Sequence, residues 1–191
     1  MRLRSLHVVL VLLIALAAVP VFATPIVSVS PSATSVNVGN SVSVDIVVTG
    51  AIDLYAFQFD IGFNPAVLSA TGIVEGAFLP TGGGTFYLPG TISNASGTIS
   101  FTADSLLTAI TGVTGSGTLA TVSFQGVGAG SSPVNILNVT LLDSTLSGIA
   151  DTEVGGTIRA VGSSAAVPEP STLALLLTGA VALAGRRRRQ A

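Results

Sequence analysis

Cysteine, lysine and tryptophan are absent from this 191-residue chain, and its one histidine is His7. Without cysteine there is neither a disulfide framework nor a thiolate zinc site. Beyond residue 23 there is no histidine either, so Ser-His, Cys-His and Ser-Lys nucleophile systems cannot be assembled there. A pair of carboxylates could still hydrolyse a glycoside. The nine acidic residues are scattered, however, and no cleft-forming insertion separates the apolar runs. The chain therefore reads as a non-enzyme. Aromatic residues make up 5% of it, too few to build a broad sugar-stacking platform. What is plentiful is glycine, serine, threonine and valine, a composition suited to strands joined by small-residue turns.

Charge is scarce and unevenly placed. Arg2 and Arg4 open the chain, Arg186, Arg187, Arg188 and Arg189 close it, and only Arg159 lies between. Residues 24–165 carry eight acids against that one arginine, a net charge of −7, although the whole chain sums to −2. Such a domain repels a phosphate backbone, and nucleic acid is not expected as a partner.

Both basic ends have the layout of addresses. "MRLRSLHVVLVLLIALAAVPVFA" has a basic start, an apolar stretch over residues 8–19 and a small-residue stop at Val21-Phe22-Ala23. This is a signal-peptide pattern, with signal-peptidase cleavage expected after Ala23. Residues 172–185 form a second short apolar run. As a helix it would reach about 21 Å, against a hydrocarbon core of ~30 Å. Flanking arginines can snorkel, which makes it a short transmembrane anchor with the arginines on the cytoplasmic side. Pro168 and Pro170 block helix to their N-terminal side, leaving an extended, accessible stretch before it. Pro168-Glu169-Pro170, the apolar helix and the four arginines together resemble the PEP-CTERM sorting signal of Gram-negative bacteria. That resemblance implies an exosortase that cuts near the motif, and an exported protein that ends at the cell surface or in the extracellular matrix.

Between the ends the periodicity is two. Val42, Val44, Ile46 and Val48 alternate with Ser41, Ser43 and Asp45, and Tyr55, Phe57, Phe59, Ile61 and Phe63 alternate with Ala56, Gln58, Asp60 and Gly62. "TISFTA" repeats the pattern around Phe101, and "TLATVSFQ" repeats it around Ala120, Val122 and Phe124. Turn signals intervene at Val38-Gly39-Asn40, at Gly82-Gly83-Gly84, at Asn94-Ala95-Ser96-Gly97 and over residues 126–133. The spacing predicts an all-β, antiparallel sandwich of about nine strands over residues 24–162. Only "NPAVLSA", from Asn64, reads as a helical turn. Residues 163–167 read as a linker, and residues 168–191 as the tail.

"LYAFQFDIGFNPAVLSATGIVEGAF" resembles the most recognisable stretch of cohesin domains, with an aromatic strand, a corner, a Val-Leu pair and a glycine-containing loop. "VSVSPSATSVNVGNSVSVDIVV", "ISFTADS", "GTLATVSFQ" and "GGTIRAV" extend the likeness over about 135 residues. Asn64 stands where the family's corner usually has Asp, Phe63 where it has Tyr, and Ala103 where an acidic residue often helps hold dockerin. The resemblance implies a nine-stranded, jelly-roll-like sandwich that binds a dockerin-like protein through a sheet face. On that basis Gln58, Asp60 and Asp104 are the candidate partner-binding residues. The alternative is binding of exopolysaccharide, for which Tyr87 in "GGGTFYLPG" is the expected exposed aromatic. Asp143, Asp151 and Glu153 offer oxygen ligands to Ca²⁺, but their spacing matches no calcium loop, and no cofactor is assigned. The sequons at Asn94 and Asn138 are read as chance matches.

Overall fold

A computed structural model describes residues 23–162. The expected signal peptide and membrane helix, the expected linker and the sorting residues Pro168, Glu169, Pro170 and Arg186 to Arg189 lie outside the described residues. Among the described residues no helix is long and apolar enough to cross a membrane.

Alternation becomes eleven strand segments: β1 (Ile26–Pro31), β2 (Ser35–Asn37), β3 (Ser41–Gly62), β4 (Leu68–Glu75), β5 (Thr91–Ser93), β6 (Thr98–Ser105), β7 (Val113–Gly126), β8 (Gly130–Asp143), β9 (Gly148–Ile149), β10 (Thr152–Val154) and β11 (Gly156–Val161). The count differs from nine because several segments have only two or three residues. A 3-10 turn at Leu79–Gly82 is the one helical element among the described residues. The helical turn expected after Asn64 is a single hydrogen-bonded turn, in which the Asn64 carbonyl accepts from the Val67 and Leu68 amides. The Asn64 side chain caps it by accepting from the Ala66 amide.

Two ladders share β3. Its first half pairs with β1 and β7, with β10 beyond β1 and β4 beyond β7. Its second half pairs with β6 and β8, with β5 beyond β6. β9 and β11 pair along β8, and β2 lies beyond β11. Most pairings are antiparallel, but β1 with β10 and β11 with β2 run parallel.

The two alternating runs read from the sequence are the halves of β3, and they differ in phase. Val42, Val44, Ile46 and Val48 are buried in the first half; Phe57, Phe59 and Ile61 are buried in the second. The change from even to odd positions is made between Val48 and Phe57, where the register slips repeatedly and Ala51 and Leu54 are the buried residues. Gly50 (φ 73°) and Asp53 (φ 57°) take left-handed backbone there. The displaced amides are satisfied by side chains, Gly50 N–H by Ser116 Oγ and Asp53 N–H by Thr114 Oγ1, each at 3.0 Å. One strand can thus bury apolar residues in both ladders. The inward faces meet in a single core in which Phe63 packs edge-on against Phe124, with ring centroids 5.1 Å apart. Each fully buried Phe, Leu or Ile there stabilises the fold by about 1.5–3 kcal/mol.

Candidate functional site

The outer faces of the two ladders differ in chemistry. Along β3 and β7 the first ladder turns Ser41, Ser43, Asp45, Thr121, Ser123 and Gln125 outward, and Thr121 Oγ1 donates to Asp45 Oδ1 at 2.6 Å. That is a solvated hydroxyl face. The first ladder's outer face also carries the exposed Val74, opposite Thr121, but the second ladder groups several large apolar side chains in neighbouring rows. Residues 85–88 run beside β6 as an added edge, joined by bridges Thr85 to Leu106 and Leu88 to Ala103. Leu88, Ala103, Gln58 and Thr140 consequently form one row across four chain segments. Phe86, whose amide donates to the Ser105 carbonyl at 2.8 Å, begins the next row with Ser105, Ala56 and Leu142.

The third row is built by paired bulges. Register slips between Phe59 and Ile61 opposite β6, and between Gln58 and Asp60 opposite β8. Phe101 (φ 60°) and Asn138 (φ 52°) occupy the left-handed region at these slips, which for residues other than glycine costs about 1–3 kcal/mol each. Asp60 holds both: Oδ1 accepts from the Phe101 amide and Oδ2 from Asn138 Nδ2, each at 2.7 Å. As a result Phe101 is 57% exposed and Leu137, which pairs with Asp60, is 46% exposed. With Phe86 at 58% and Leu88 at 37%, four large apolar side chains lie on one sheet face. Isolated exposed apolar residues are ordinary, but a contiguous set marks an interaction surface.

Of the residues read from the sequence, Gln58 and Asp60 share this face and Asp104 does not. Asp104 lies opposite Phe57 in the β3–β6 pairing and is 3% exposed, on the inner side with Thr102. The alternation that turns Ala103 outward turns Asp104 inward. Asp60 is a clamp with both oxygens engaged. Tyr87, expected as an exposed platform, is also turned inward, because the edge pairing that points Phe86 and Leu88 outward buries its hydroxyl. Phe101, grouped with the apolar phase of its strand, is outside because the bulge reverses that phase. Phe86, Leu88, Phe101 and Leu137 were not singled out as a face from the sequence, since neither a bulge nor a cross-strand row leaves a local signal.

The acidic loop is bonded largely within itself. Asp143 Oδ1 accepts from the Thr145 amide and hydroxyl and from the Ser147 amide. These bonds, led by the Thr145 hydroxyl, hold its carboxyl below the usual range. Burial pushes Asp151 up, with the Glu153 charge second. Among the described residues no group of three acids or histidines is placed to hold a metal ion. Both sequon asparagines are engaged as well: Asn94 exchanges hydrogen bonds with the Ala70 backbone, and Asn138 donates to Asp60.

The family model of the cohesin domain matches residues 27–160, and that of the PEP-CTERM protein-sorting motif matches residues 166–189. No curated protein matches the chain. Among solved structures, the second type II cohesin module from the adaptor ScaA scaffoldin of Acetivibrio cellulolyticus is similar with a TM-score of 0.62 and 15% identity, covering 79% of this chain and 98% of that one. A non-cellulosomal cohesin from the archaeon Archaeoglobus fulgidus has a TM-score of 0.59 and 16% identity, covering 73% and 92%. The cohesin of a type I cohesin–dockerin complex from Clostridium thermocellum has a TM-score of 0.58 and 14% identity, covering 73% and 100%. At these identities the likeness shows the fold.

Proposed function

Because the chain belongs to the cohesin domain family, we propose that it is an exported, non-catalytic docking module that binds a dockerin-like protein through the outer face of β6, β3 and β8. The observation that carries this reading is the set Phe86, Leu88, Phe101 and Leu137, exposed together around Gln58. Burying such side chains against a partner removes apolar area from water and supplies the anchor residues of an interface. Ala103 at the centre of the face, with no acidic side chain beside it in its row, makes the contact mainly apolar. The sorting motif over residues 166–189 supports export. In this reading residues 1–23 are the signal peptide, residues 163–167 the linker and residues 168–191 the tail that an exosortase reads, with membrane residence at least transient before release to the cell surface or matrix. Exopolysaccharide binding through Tyr87 is not proposed, because its hydroxyl is buried.

Calorimetric titration of the protein with dockerin modules tests the reading. Saturable binding is expected, weakened at least tenfold by Phe101→Glu or Leu137→Glu, with the unfolding midpoint unchanged because both side chains are exposed. Binding that survives both substitutions would put the partner on another surface.

A further inference from the structure

Directly beneath the 85–88 edge lies a pair of carboxyl groups with no counter-charge. Asp104 projects inward from β6, and neither of its oxygens has a well-formed hydrogen bond. Glu75 ends β4 on the inner side, opposite Ala120 of β7, and accepts from the Thr85 hydroxyl. The two carboxyl groups belong to different ladders and lie within hydrogen-bonding reach of each other. Tyr87 closes the space from the edge segment, its buried hydroxyl without a partner. The neighbouring elements offer no compensation: β3 presents Phe57 and β7 presents Ala120. The one basic side chain among the described residues is Arg159 on β11, which pairs with β8 and β2.

Two neighbouring carboxylates, one of them buried and neither beside a cation, resist ionising together. A single proton taken from solvent changes one of them into a donor, and the pair then satisfies itself. We propose that Glu75 and Asp104 share one proton that locks residues 85–88 against β6, and that its loss frees this edge and with it Phe86 and Leu88. The consequence for binding rests on the docking reading above; the lock itself does not. Burial first, and the Glu75 charge second, push the Asp104 carboxyl up to about 7, so the proton leaves in the neutral range. Burial, then the Asp104 and Glu75 charges, push the Tyr87 phenol up, so it remains protonated throughout.

Amide hydrogen exchange of the full chain, corrected for intrinsic rates, tests this at about pH 5 and about pH 8.5. The reporters are the Phe86 and Leu88 amides, which donate to the Ser105 and Ala103 carbonyls at 2.8 Å. Their protection is expected to fall at least tenfold at the higher pH while core amides such as Val44 keep theirs. In Asp104→Asn or Glu75→Gln, whichever folds, the reporters should lose this pH dependence. Unchanged wild-type protection, or a loss that persists in the folded variants, overturns the proposal. Restoration of wild-type protection by millimolar calcium at the higher pH also overturns it, since the pair would then hold a cation. No partner enters the measurement, so failure of the docking reading and failure of the lock are distinguishable.

Discussion

Asp60 shows how one side chain can shape a surface without being its point of contact. Its two oxygens hold the neighbouring strands in bulges that each turn two successive residues outward. Removing them leaves the Phe101 amide without its acceptor and two left-handed residues unsupported. Asp60→Ala is expected to cost about 1–3 kcal/mol, read from the midpoint of chemical denaturation, and to weaken partner binding by disordering Phe101 and Leu137. Asp53 plays a parallel part in the middle of β3. Its side chain accepts from the Gly112 amide and from the Ser144 hydroxyl and amide. Those bonds, Ser144's hydroxyl first, hold its carboxyl below the usual range. Neither task can be read locally, because the partners are 41 to 91 residues away in sequence.

At the scale of elements, the outer face depends on how β5 turns into β6. The Gly97 amide donates to the Ser93 carbonyl, and its own carbonyl accepts from the Phe63 amide. Its φ is +70°, and an added Cβ would lie 2.2 Å from the Phe63 carbonyl oxygen. Backbone cannot yield there as a flexible side chain could. Gly97→Ala is expected to destabilise by more than about 1 kcal/mol, whereas Gly148→Ala, with nothing within 4 Å of the new Cβ, should be near neutral; thermal unfolding of both variants decides. The turn signal around Asn94 was legible in the sequence because glycine is the residue such a backbone demands. The bulges at Phe101 and Asn138 were not, because a phenylalanine in the left-handed region is held there by a distant carboxylate.

At the scale of the whole molecule, the shared proton links the two ladders and makes stability depend on pH. In the unfolded chain Asp104 loses its proton near the ordinary 3.8, whereas in the folded protein it keeps it to about 7. The folded state therefore binds more protons across that window, and stability must fall as pH rises through it. The contribution is fully present below pH 4 and gone above about pH 7. Self-repulsion of the −7 domain acts in the same direction as its acids ionise. Denaturant midpoints measured between pH 4 and pH 8 should decline, and Asp104→Asn should flatten the curve by a few kcal/mol across the window. A wild-type curve that rises through this range would contradict the assignment.

The sequence by itself determined the class of the domain, because strand alternation and turn glycines are local properties of a chain. It determined the buried stripe of β3 for the same reason: Val42 to Val48 and Phe57 to Ile61 alternate in phase within each half. Only the tertiary structure decided which face is apolar and what Asp104 does. Ile99 and Phe101 sit two residues apart, yet one is inside and the other outside, because a bulge changed the parity between them. Tyr87, expected outside, is turned inward and Phe86 outward because residues 85–88 pair with β6 across the chain. Parity across a bulge and pairing at an edge are set by long-range hydrogen bonds, and no window of sequence contains both partners.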